Sequence, residues 1–196
     1  LEKLLLPFAS KDSLRPQLQS FFVDKNNIVA TDAHKLAILP NFTQLSDGIY
    51  QFNKLVKEPT TEKYIPYSDS RYPDYNCVIP TNNFTAEKLM DISGLRQILS
   101  AAKKFKLYEF TDNPAKKVKF KIGNQLYAVN GAFFLTVVTL FTQLNCKTAI
   151  AQFSGETKVI SISYGKIKSM LMPLVNEGVE ENSEILDLTD FFYDEN

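Results

Sequence analysis

The chain offers few groups able to do covalent or metal chemistry. His34 is its sole histidine and stands in the run Thr31-Asp32-Ala33-His34-Lys35. One imidazole beside one carboxylate lacks the nucleophile of a triad. With only two cysteines, Cys77 and Cys146, it matches no zinc spacing. A hydrogen-bonded turn residue accounts for His34 more simply. No GxGxxG, GxxxxGK[ST] or GxSxG motif occurs, and the carboxylates are scattered rather than paired. The expectation is a protein with no catalytic residues, no metal and no cofactor.

Cations and apolar anchors carry more signal. Lys116, Lys117, Lys119 and Lys121 cluster around a strand pattern, where alternate lysines share one face. That pattern suits either a polyanion or the solvated side of a hairpin. From Glu177 to Asn196 there are eight acids and no base, so the first 176 residues hold 22 bases against 14 acids, a net charge of +8 in a chain that is neutral overall. Such a division fits a nucleic-acid surface with a competing acidic tail, or a solvated body with a loose end. Met170 and Met172 are flexible thioethers of the kind that adapt to varied partners.

The elements that must position these groups follow from periodicity. A length of 196 residues and 44% apolar content allow one domain or two small ones around a real core. Leu1–Ala9 reads as a short helix truncated by Pro7. Leu18–Val23 and Ile28–Asp32 read as a hairpin, with Lys35–Leu39 and Gly48–Phe52 extending the sheet. Glu58–Tyr75 reads as an irregular connection. Ser93 is placed to cap a helix over Gly94–Lys104 with Leu95, Ile98, Leu99 and Ala102 on its apolar face. Leu107–Phe110, Val118–Ile122 and Leu126–Val129 read as strands, and Ala132–Asn145 as a second helix. Ala149–Phe153, Val159–Tyr164 and Ile167–Leu171 close the pattern as strands. The second half thus states β-α-β-β-β twice, an α+β arrangement on antiparallel sheets with helices on one face. No apolar run reaches 18 residues, and Leu1-Glu2-Lys3-Leu4 lacks the order of a signal peptide, so a cytoplasmic protein away from membranes is expected. The chain opens on Leu rather than Met, which points to a few missing residues.

Three segments then carry a family resemblance. Thr31-Asp32-Ala33-His34-Lys35-Leu36-Ala37 resembles the ATDGHRLA segment of bacterial DNA polymerase III sliding clamps. Arg71-Tyr72-Pro73-Asp74-Tyr75-Asn76-Cys77-Val78-Ile79-Pro80 is similar to that family's RFPDYRRVLP junction, and Ser169-Met170-Leu171-Met172-Pro173-Leu174 to its closing VVMPM segment. The resemblance covers most of residues 1–175 and implies a DNA-clamp fold. It divides the chain into a shortened clamp-like domain (1–82), a complete one (83–176) and the acidic tail (177–196). Ala33 replaces a glycine and Lys35 an arginine of the family segment.

By the same resemblance, Thr31, His34, Lys35, Leu36, Pro80, Met170, Met172, Pro173 and Leu174 form a pocket for a client peptide, although Met170, Met172 and Leu174 also suit a plain closing strand. Arg96, Lys103, Lys104 and Lys106 meet duplex DNA without reading its sequence, with Lys11 and Arg15 as further cations. The implied partners are DNA, a polymerase or other replication protein held by a short peptide, and further copies of the chain. Residues 185–192 resemble the clamp-binding box Q-x-x-h-x-x-F-F, with Ile185 where Gln is expected. Leu188, Phe191 and Phe192 would share a helical face and dock on this chain, on a neighbour or on a host clamp; a helical end that merely packs on the body is the other reading. Two functions follow from the resemblance: a clamp-like processivity factor, or a monomeric adaptor or decoy that binds client peptides without encircling DNA.

Overall fold

The computed structural model describes residues 1–43, 45–52, 64–67, 71–81, 83–104, 117–174 and 186–194. Alternating burial builds the first sheet. In β1 (Phe21–Asp24), Phe21 and Val23 point to the core, while Phe22 and Asp24 face the other side. β1 turns through Lys25, which adopts φ +46°, into β2 (Asn27–Thr31). β2 pairs antiparallel with β3 (Lys35–Pro40), from Asn27 opposite Pro40 to Thr31 opposite Leu36. On the other side of β1 lie β4 (Gly48–Phe52) and then β5 (Tyr64–Pro66), a short strand within the stretch expected to be irregular. Phe21 gathers Phe52, Tyr64 and Tyr50 around it, with ring centroids 4.9, 5.6 and 5.7 Å away. The opening helix is shorter than its pattern suggests: α1 covers Glu2–Leu5, and Pro7 tightens Leu6–Phe8 into a 3-10 turn. Pro16 does the same to Pro16–Gln19, so the strand expected from Leu18 starts at Phe21.

The second unit repeats strand and helix. β6 (Ala86–Asp91) leads into α2 (Ile92–Lys104), whose buried residues Ile92, Leu95, Leu99 and Ala102 line one face. The helix begins one residue ahead of Ser93. Asp91, not Ser93, supplies the cap, its carboxylate accepting the Gly94 N–H at 3.0 Å. β7 (Lys117–Ile122) and β8 (Gln125–Asn130) form a hairpin. The expected strand Leu107–Phe110 and the Asp112–Pro114 turn lie outside the described residues.

α3 (Gly131–Gln143) is capped by Asn130, whose side-chain oxygen accepts the N–H groups of Ala132 and Phe133. It ends short of Asn145, because Asn145 turns left-handed at φ +60° and lets the Cys146 N–H reach the Phe141 carbonyl. α2 packs on α3. β9 (Thr148–Phe153) pairs antiparallel with β6 and with β10 (Ile160–Tyr164), and β11 (Ile167–Leu171) follows.

The chain divides into two compact units: Leu1–Cys77 with Gly165–Ser169, and Val78–Tyr164 with Met170–Asn196. The expected boundary was 82/83. Residues 165–169 group with the first unit through β11, where Ser169 Oγ donates to the Leu36 carbonyl at 2.8 Å. Among the described residues no helix is long and apolar enough to cross a membrane.

Candidate functional site

The turn from β2 to β3 is organised by two short side chains. Thr31 Oγ1 donates to the Lys35 carbonyl at 2.8 Å and accepts the Ala33 N–H at 3.1 Å. Asp32 accepts the N–H groups of His34 and Lys35, both at 3.0 Å, with one carboxylate oxygen. Its other oxygen pairs with the Lys35 ammonium, which also lies 5.9 Å from the Phe8 ring centroid. The Lys35 side chain is only 5% exposed, so its charge is held within the first unit. His34 stands exposed at the tip, and Leu36 is buried. Ala33 takes φ +76°, the left-handed conformation that favours glycine.

The Arg71–Pro80 segment packs by its aromatics. Tyr72 stacks on Phe22 with centroids 5.2 Å apart, and Tyr75 meets the same ring edge-on at 6.5 Å. The Tyr75 hydroxyl donates to Asp24 at 2.8 Å. Burial, then that hydrogen bond, pushes the Tyr75 phenol up to about 12. Tyr72 is also pushed up by burial; its hydroxyl lies near the Thr31 backbone but closes no hydrogen bond with a described residue. Asp74 caps the next turn by accepting the Asn76 N–H, which holds its carboxyl below the usual carboxylate range. Phe22, Ile49, Tyr67, Arg71 and Tyr72 help to line an open cavity of about 440 Å³ in the first unit. Its aromatic run was legible in the sequence, but its lining from β1 and β4 was not.

The other residues expected to meet a client peptide lie on the second unit. Pro80 is half-buried. Met170 is 2% exposed and belongs to the core, Met172 is 40% exposed, and Pro173 and Leu174 are half-buried. The Leu174 N–H donates to the Ala128 carbonyl at 2.8 Å, which fixes this strand end against β8. The structure therefore gathers Thr31–Leu36 in one turn and Met170–Leu174 at one strand end, on different compact units.

The expected DNA-contacting cations sort by their surroundings. Lys103 and Lys104 are exposed in the last turn of α2, where the helix dipole favours positive charge. Arg96 is half-buried and bonded to Ser100 one turn on. Lys106 lies outside the described residues. Lys11 and Arg15 are exposed, with Arg15 3.8 Å from Asp12. The hairpin lysines do not form the open face their alternation suggests, because Lys119 is 4% exposed beneath the C-terminal segment. α3 carries no charged residue, and its Thr136, Thr139 and Thr142 hydroxyls donate back to carbonyls of the preceding turn. Among the described residues no three His, Cys, Asp or Glu side chains gather as a metal site.

The C-terminal segment is not helical as expected. Thr189–Phe191 forms one 3-10 turn and β12 (Phe192–Tyr193) pairs antiparallel with β6, Phe192 opposite Met90. Leu188 is fully buried, and the Phe192 ring stacks 4.5 Å from Phe120. The segment thus sits on its own second unit.

No family model and no curated protein matches the chain. Solved structures do. The DNA polymerase III subunit beta from Pseudomonas aeruginosa is similar at a TM-score of 0.69 and 15% identity, over 89% of this chain and 63% of that one. The DNA polymerase III beta chain from Streptococcus pneumoniae TIGR4 gives 0.66 and 16%, over 88% and 61%. The Helicobacter pylori beta clamp, solved bound to a DNA ligase peptide, gives 0.64 and 15%, over 89% and 62%. The chain has the sliding-clamp fold and spans about three-fifths of the length of these structures.

Proposed function

We propose that a chain with this fold is a clamp-like replication factor, a non-enzymatic tether holding a replication protein near duplex DNA. The observation that carries the reading is the fold match itself, a TM-score of 0.69 over 89% of the chain. Taken unit by unit, Thr31 and the exposed His34 on the first unit are proposed to contact a short client peptide, and Pro80, Met172, Pro173 and Leu174 on the second unit are proposed as contacts of the same kind. The ligase peptide on the Helicobacter pylori clamp supplies the chemical precedent. Apolar anchors held by a few polar groups suit such a peptide. Arg96, Lys103 and Lys104 are proposed to meet phosphates, a contact that weakens steeply with salt and reads no sequence.

A specific observation favours the adaptor reading as the second choice. The uncharged α3 adds nothing to a phosphate surface, so a chain that binds peptides without encircling DNA is also supported. A ring of identical subunits would need head-to-tail contacts that close. Light scattering at low and moderate salt, followed by retention on closed and cut DNA circles, separates the two. A discrete oligomer that stays on closed circles and leaves cut ones supports the clamp. A monomer that binds client peptide and leaves both circles supports the adaptor. Failure to bind a client peptide would overturn both.

A further inference from the structure

The C-terminal segment is held as a peptide ligand is held. Its backbone joins β7: the Lys119 N–H donates to the Leu186 carbonyl at 2.9 Å, and the Leu188 N–H donates to the Lys119 carbonyl at 2.7 Å. The Lys121 N–H then donates to Thr189 Oγ1 at 2.9 Å. Three residues on, β12 adds to the edge of β6, where Tyr193 pairs with Leu89, and Asp194 meets the Lys88 ammonium at 2.6 Å. β6 is paired with β9 on its other side, so among the described residues this segment is what covers the remaining edge.

Its side chains fill matched places. Leu188 is fully buried. Phe192 lies against Phe120, Phe153 and Phe134, with centroids 4.5, 6.0 and 6.4 Å away. Phe191 covers Gly94, where a Cβ would stand 2.6 Å from its ring. Backbone pairing with side-chain pockets at fixed spacing is the logic of peptide capture by strand addition.

The covalent link need not force this docking. Leu174 bonds Ala128 on the outer edge of β8, and Ala128 is the cross-strand partner of Lys119. Leu174 and the segment are therefore separated by about three strand spacings, roughly 14 Å. The eleven intervening residues reach roughly 36 Å when extended.

We propose that the second unit carries a peptide groove, formed by the β6 edge, the β7 edge and the surface over Gly94, whose ligand is this chain's own Leu-x-x-Phe-Phe segment. The groove uses none of the client residues named above, and it recognises an acidic peptide with a Leu anchor and paired Phe anchors on either side of one 3-10 turn.

The test is a full-length variant with a specific protease site replacing residues 178–182. After cleavage, the released piece stays with the body through gel filtration. A synthetic peptide of residues 185–196 displaces it, and the same peptide with Phe191→Ala and Phe192→Ala is at least 100-fold weaker. The proposal is overturned if the piece leaves a body of unchanged circular dichroism that does not bind the synthetic peptide. It is equally overturned if the Ala-substituted peptide competes as well, or if the body unfolds once the piece is displaced, since the segment is then part of the core and not a ligand.

Discussion

The Phe191 ring occupies the space above Gly94, so that an ideal Cβ on Gly94 would fall 2.6 Å from Phe191 Cε1 and 2.5 Å from Asp91 Oδ2. Two effects compete at this position. Alanine gains about 1 kcal/mol over glycine inside a helix, while overpacking costs about 1–3 kcal/mol. Gly94→Ala is expected to destabilise the chain by about 1 kcal/mol in urea unfolding, and to cost less in a Phe191→Ala background, where only the Asp91 contact remains. The same loss in both backgrounds would mean that Phe191 is not what limits the site.

Ala33 pays for its left-handed backbone at φ +76°. An L-residue there is strained by about 1–2 kcal/mol. Ala33→Gly relieves the strain but leaves a more flexible unfolded chain. The net expectation is a gain of about 1 kcal/mol by chemical denaturation. Ala33→Val, with its branched Cβ, is expected to lose stability. A destabilising glycine would show that the turn bonds of Thr31 and Asp32 already absorb the strain.

The two methionines near the closing strand divide packing from recognition. Met170 is 2% exposed, and Met170→Ala is expected to cost about 2–5 kcal/mol. Met172 is 40% exposed, and Met172→Ala is expected to leave unfolding within about 0.5 kcal/mol of the parent. Client-peptide titration of the Met172 variant should show weakened binding. Unchanged affinity would remove Met172 from the proposed client contacts.

Alkaline stability follows from Tyr75, whose phenol moves from 10.0 to about 12 on folding. The folded chain keeps this proton where the unfolded chain has released it. Its contribution is therefore complete below pH 10 and is lost as pH rises toward 12. Burial raises Tyr72 and Tyr127 as well, with the same sign. Thermal unfolding across this range should fall with pH, and Tyr75→Phe should flatten the fall. An unchanged slope would assign the loss to Tyr72 and Tyr127.

Periodicity by itself determined most of the elements. Ile167–Leu171 and Gly48–Phe52 are strands with the expected bounds, and α2 and α3 lie where Leu95, Leu99, Phe134 and Phe141 repeat at helical spacing. These are local properties, set by which side chains must share a face. Three short segments also sufficed to indicate the clamp fold.

What the sequence could not decide depends on neighbours distant along the chain. Leu188, Phe191 and Phe192 sit at helical spacing, yet so short a segment gains little from an isolated helix, and the open β6 edge supplies the backbone partners it needs. Lys119 alternates like a solvated lysine and is covered only because that segment lands on β7. Met170 and Met172 are two residues apart and alike in chemistry, but packing buries one and exposes the other. Lys35, expected at a client pocket, is instead buried with its ammonium beside the distant Phe8 ring. In each case the deciding contact links residues whose pairing no local period encodes, so only the tertiary structure could assign the role.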